Sequence, residues 1–150
     1  MIIDSSAVVA IVRGEPEAVV FGRWIVAAPS RRMSAANYVE TAAVIDSQRN
    51  PQASASLDLM LREMRIEIVP FTARQASLAR DAYQRFGRGS GHPARLNMGD
   101  CYAYALARDL GEPLLYKGND FALTDIEQLT EPIRRNRLSE VLAAYGANAG

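Results

Sequence analysis

Four widely spaced carboxylates carry the chemistry open to this sequence. Asp4 closes the short apolar run Met1-Ile2-Ile3, and Glu40 lies within an alanine-rich stretch. Asp100 stands at the head of the apolar run CYAYALA, and Asp120 follows Leu114-Leu115-Tyr116 by a few residues. Each has an ordinary structural alternative: Asp4 or Asp100 can serve the positive end of a helix, Asp120 a turn, and Glu40 a solvated face. Converging on one cleft, they would repel and raise one another's pKa values until a cation neutralised them. Hard oxygen donors without His or Cys select Mg²⁺ or Mn²⁺ over zinc, and such ions serve phosphate chemistry.

The rest of the composition removes competing chemistries. A single histidine, His92, cannot build a His-based zinc site, and a single cysteine, Cys101, excludes an internal disulfide. Cys101 sits in an apolar helical run and reads as a buried, inert thiol. Seventeen acidic and seventeen basic side chains cancel, which argues against a binder that depends on bulk positive charge. Two local basic clusters remain, Arg85 to Arg95 and Arg134, Arg135 and Arg137. The start of the chain carries Asp4 and lacks the basic head and cleavage site of a signal peptide. No stretch approaches the roughly twenty apolar residues that span a bilayer. A soluble, cytoplasmic protein without membrane attachment is expected.

The elements that must position these acids follow from the apolar pattern. Residues 1–3 read as a strand, and SSAVVAIV as a helix with Ser5 or Ser6 as its cap, ended by Gly14. A second helix starts at Glu15-Pro16-Glu17 and runs to Pro29; residues 32–33 are extended. Ser34 caps a third helix, on which Glu40 shares a stripe with Ala36, Ala43 and Val44 and is expected to point inward. Residues 51–64 form a fourth helix, residues 66–69 a strand, and residues 72–86 a long amphipathic helix closed by Gly87. Residues 87–97, GRGSGHPARLN, read as one flexible loop. A helix over residues 98–110 stops at Gly111, residues 114–116 form a buried strand, and residues 124–126 are expected to return as an extended piece. Strands alternating with helices imply an α/β sandwich with a mostly parallel central sheet, whose ligands bind beyond the carboxyl ends of the strands.

At these spacings MIIDSSAVVAI, MSAANYVETA, LNMGDCYAYALA, GEPLLYKGNDF and TDI together resemble the PIN-domain ribonucleases, in particular the VapC-type toxins of toxin–antitoxin pairs. The resemblance runs from Met1 to about Ile126. It implies a PIN-like three-layer α/β/α sandwich over residues 1–127, with residues 128–150 as a peripheral tail. It places the metal-binding, catalytic acids on Asp4, Glu40, Asp100 and Asp120. Asp125 lies close enough in sequence to reach the same cleft in place of Asp120, and Ser6 holds the hydroxyl position that orients the first aspartate. The implied activity is Mg²⁺- or Mn²⁺-dependent hydrolysis of RNA by metal-activated water, leaving 5′-phosphate and 3′-hydroxyl ends. The implied partners are an RNA substrate, a VapB-like antitoxin and a second copy in a homodimer. Arg88, Arg95 and Lys117 are the candidates for phosphate contacts.

Rival readings are kept beside this one. A response-regulator receiver needs a phosphoacceptor aspartate after a middle strand, where Pro70-Phe71 stands. An aspartyl phosphatase needs a second aspartate at position 6, which is Ser6. An RNA-processing PIN nuclease without an antitoxin, and a non-catalytic PIN interaction module, stay open as alternatives.

Overall fold

Ile2–Ile3 form β1, the inner strand on which the computed structural model is built; the structure describes residues 1–127 and Leu129. Both isoleucines are fully buried, because helices cover the sheet on both sides. β2 (Arg32–Ser34), β3 (Glu67–Val69) and β4 (Leu114–Leu115) complete a sheet of order β3-β2-β1-β4 in which every neighbouring pair is parallel. Six helices lie between the strands: α1 (Ser5–Val12), α2 (Ala18–Ala27), α3 (Ala35–Asp46), α4 (Pro51–Glu63), α5 (Ala73–Phe86) and α6 (Met98–Leu110).

The two-residue period of a strand sorts the core into two layers. Ile2 and Leu114 join α5, α6 and Phe121 on one face, whereas Ile3, Met33 and Leu115 join α1 to α4 on the other. This is a three-layer α/β/α sandwich. The chain leaves β1 toward β2 on one side and returns to β4 on the other. The carboxyl end of β1 is therefore the point where strand order reverses and a crevice opens.

Local chemistry explains where the helices begin. Asp4, and neither Ser5 nor Ser6, caps α1: its carboxylate accepts from the Ser6 amide at 2.9 Å, and Ser5 and Ser6 are already helical. A carboxylate one residue past the strand reaches the free amides that a serine inside the first turn cannot. Ser34 caps α3, and Asn50 caps α4 with Pro51 in the first turn. α6 opens on a capping box in which Asn97 accepts from the Asp100 amide at 2.9 Å and Asp100 accepts from the Asn97 amide at 2.7 Å. Gly111 ends α6 at φ 62°, a left-handed conformation that glycine adopts without strain.

Two segments differ from the sequence expectation. Residues 124–126 form no strand; Asp120–Leu123 make a 3₁₀ turn held down by buried Phe121, whose ring lies 4.9 Å from that of Tyr116. Residues 87–97 are no unpacked loop: the Leu96 amide bonds the Phe86 carbonyl at 2.9 Å, and the Arg88 amide bonds the Leu96 carbonyl at 3.0 Å. Ala94 and Leu96 are buried beneath them, and His92 packs edge-on against Phe86. Leu129, just past the expected domain boundary, packs on the α1–α4 side of the core. Arg134, Arg135 and Arg137, with the rest of the expected tail apart from Leu129, lie outside the described residues.

Candidate active site

The crevice at the end of β1 is approached by acids from two helix starts, the middle of a third helix and one turn. Asp4 is 2 % exposed, and its backbone amide bonds the Leu115 carbonyl of β4 at 2.9 Å. Its Oδ2 accepts from the Ser6 amide and from the Ser6 hydroxyl at 2.5 Å, while its Oδ1 is buried with no hydrogen-bond partner. Burial drives its pKa from 3.8 up to about 6, partly opposed by the two Ser6 bonds, with the Glu40 charge adding to the rise. The same Ser6 hydroxyl accepts from the Lys117 amide at 2.9 Å, so it fixes both the carboxylate and the exit of β4.

Asp100 stands in the first turn of α6 at 9 % exposure. Burial, joined by the charges of Asp4, Asp120 and Glu40, raises its pKa to about 7 against the pull of the Asn97 amide. The acids expected at one site thus act electrostatically on a common centre. Asp120 is exposed at the start of the 3₁₀ turn. Asp125 is engaged elsewhere: its carboxylate accepts from the Tyr104 hydroxyl at 2.7 Å and pairs with Arg85 at 2.8 Å. Burial would lift its pKa, but Arg85 and Tyr104 outweigh burial and hold it below the usual range.

Glu40 reaches the crevice differently from the expectation. Ala43 and Val44 face solvent, and the buried side of α3 is Asn37, Thr41 and Ile45. Glu40 is half-buried at the edge of that polar face. Its Oε2 accepts from the Ser5 hydroxyl at 2.8 Å and from the Asn37 amide at 3.4 Å. The carboxylate also lies against the backbone of Gly99, where an added Cβ would stand 2.2 Å from both oxygens. Ser5, Asn37 and Gly99 carried no signal as single residues. The available clue was spacing: Asn37 and Glu40 share a helix face at i, i+3, and Gly99 adjoins Asp100.

The basic candidates divide. The Lys117 ammonium pairs with Glu15 and, at 3.1 Å, with Glu17, so its charge is matched within the protein. Arg88 and Arg95 are exposed and meet no acidic side chain among the described residues. Cys101 is buried beside Asp100, with its pKa pushed up to about 12 by burial and then by that charge, which leaves an inert thiol.

The fit of a cation rests on these groups. Among the described residues no three carboxylates stand close enough to ligate one ion directly. Mg²⁺, however, is commonly held by one or two carboxylates and retains several waters. The buried, unpartnered Oδ1 of Asp4 and the raised pKa of Asp100 are what a hard cation corrects.

Both the sequence and the fold have known relatives. The PIN domain family model matches residues 1–127. Ribonuclease VapC28 of Mycobacterium tuberculosis is 52% identical over 128 residues, 85% of this chain and 96% of that protein. Ribonuclease VapC42 of the same species is 50% identical over 126 residues, 84% of this chain and 96% of that one. Ribonuclease VapC of Mycolicibacterium smegmatis is 47% identical over 126 residues, 84% of this chain and 97% of that protein. The crystal structure of M. tuberculosis VapC20, described as a sarcin-ricin loop cleaving toxin, superposes with a TM-score of 0.66. It covers 85% of this chain and 97% of its own at 16% identity, a likeness of fold.

Proposed function

The chain belongs to the PIN-domain family and is an endoribonuclease of the VapC toxin type, and on that premise we propose that Asp4, Glu40, Asp100 and Asp120 hold its divalent cation, Mg²⁺ or Mn²⁺, directly or through the waters it retains. The observation that carries this reading is the buried Asp4 oxygen without a partner, beside an Asp100 whose pKa is raised first by burial and then by three neighbouring acids. A divalent ion supplies an activated water and offsets the charge that builds on the phosphoryl oxygens. The protein's own work is placement. Ser6 fixes the rotamer of Asp4 through two bonds, the capping box fixes Asp100, and Phe121 anchors the turn that presents Asp120. Asp125, tied to Arg85 and Tyr104, braces that turn and leaves the fourth acidic position to Asp120.

RNA and a VapB-type antitoxin are the partners of a toxin of this type. We further propose a cytoplasmic homodimer. No helix among the described residues is long and apolar enough to cross a membrane. Exposed Val19, Val20 and Leu59 on α2 and α4 supply apolar surface for a protein partner.

The ionic requirement gives the direct test. RNA cleavage stops in excess EDTA and returns with Mg²⁺ or Mn²⁺. Cleavage that continues in EDTA would sink the reading.

A second expectation concerns Arg88 and Arg95. The backbone bonds of residues 86–96 fix both on a platform that runs straight into Asn97, the residue capping Asp100. Arginines without acidic partners at that place are suited to phosphate. Replacing both with Ala weakens binding of single-stranded RNA and makes the log–log salt dependence shallower by about 0.7 for each phosphate no longer neutralised. Filter binding with the inactive Asp100→Asn protein across a KCl series reads this out. An unchanged slope assigns both arginines to ordinary solvated surface.

A further inference from the structure

Asn37 is fully buried, yet nothing in the hydrolysis itself calls for an amide there. Its Nδ2 meets three oxygens: the Gly99 carbonyl at 2.9 Å, the Ser5 hydroxyl at 3.2 Å and Glu40 Oε2 at 3.4 Å. Its own Oδ1 is buried without a partner, so the donor side is what the amide contributes. Thr41 bonds the Asn37 carbonyl at 2.8 Å and locks that turn of α3. Through Asn37 the helix carrying Glu40 is thus joined to the first turn of α6, one residue before Asp100. Gly99 completes the contact, because any side chain there would occupy the space of the Glu40 carboxylate.

We propose that Asn37 is a positioning residue that holds the Glu40 carboxylate against the Gly99 backbone beside Asp100, and so sets the affinity of the acidic cluster for a divalent cation. The proposal rests on the metal reading above. A neutral donor suits this place, since a lysine or arginine would cancel the negative charge that attracts the ion. Groups that only orient metal ligands typically govern affinity by factors of about 10–100.

The test is the rise in melting temperature of EDTA-stripped protein on titration with Mn²⁺, which needs no substrate. Asn37→Ala shifts half-saturation about tenfold higher. In a Glu40→Gln background the same change adds less than about twofold, since residues acting as a unit are not additive. Gly99→Ala reproduces the shift by displacing Glu40 while Asn37 stays in place, and it carries the test should Asn37→Ala not fold. A purely structural Asn37 would lower the melting temperature in EDTA and leave half-saturation at the wild-type value, which overturns the proposal. So does a full tenfold effect in the Glu40→Gln background. Asp100→Asn is the control. If that variant keeps wild-type Mn²⁺ stabilisation, the metal reading itself fails. If it loses the stabilisation while Asn37→Ala and Gly99→Ala titrate like wild type, only the role of Asn37 falls.

Discussion

Asp100→Asn and Asp4→Asn each lower RNA cleavage by at least about a hundredfold, the upper end of what losing a group that merely supports a metal ligand costs. Both variants also gain stability in EDTA at pH 8. Both changes keep the shape of the side chain and remove a charge that burial disfavours. In each case the retained oxygen can still accept the bonds that matter, from Ser6 at position 4 and from the Asn97 amide at position 100. The new amide group must find its own partner, so the net gain is about 1–3 kcal/mol rather than the full cost of the buried charge. Urea unfolding in EDTA and cleavage in Mg²⁺ measure the two arms. Opposite signs, activity lost and stability gained, are the signature of acids placed for function. If both proteins cleave at the wild-type rate, Asp4 and Asp100 are helix caps and nothing more.

The frame of this site was legible because each of its main parts leaves a local mark. Ile2 and Ile3 followed by a carboxylate mark the buried strand and its exit, and Asn97 with Asp100 three residues later is a helix start written in two side chains. The helices α3 to α6 follow their apolar spacing to within a few residues. Reading failed where a face or a partner is chosen by tertiary contacts. The apolar residues Ala43 and Val44 pointed to the wrong side of α3, because the side packed against the start of α6 is polar and satisfied by hydrogen bonds. Counting glycines made residues 87–97 look loose, since the bridge between Gly87 and Leu96 joins positions that have no local pattern. Asp120 and Asp125 looked equivalent until α5 and α6 placed Arg85 and Tyr104 around one of them.

Metal-free protein is less stable at pH 8 than at pH 5, an inversion of the usual behaviour of proteins rich in paired carboxylates. Asp4 and Asp100 titrate near 3.8 when unfolded but at about 6 and about 7 when folded. Between those limits the native state holds more protons than the unfolded one, so stability falls as pH rises through the window and levels off above about pH 7. Asp109, Glu112 and Asp125 work in the other direction. Their folded pKa values are lowered, so their contribution is present above the unfolded value and is lost only as pH falls below about 4. The optimum in EDTA therefore lies near pH 4, and the fall is well under way between pH 5 and pH 7. The unfolded carboxylates are already ionised at pH 5, so at about 1.4 kcal/mol per tenfold the two raised groups set an upper bound of about 4 kcal/mol on the loss between pH 5 and pH 8. Asp4 and Asp100 share part of their repulsion, and water entering on ionisation relieves the burial, so about 2 kcal/mol is expected. Saturating Mg²⁺ binds the ionised forms and reverses the slope, making the protein more stable at pH 8 than at pH 5. Urea melts at the two pH values, with EDTA and with Mg²⁺, read both effects. A profile in EDTA that stays flat from pH 5 to pH 8 would show the two aspartates ionising at no cost, and the buried acidic centre would lose its physical basis.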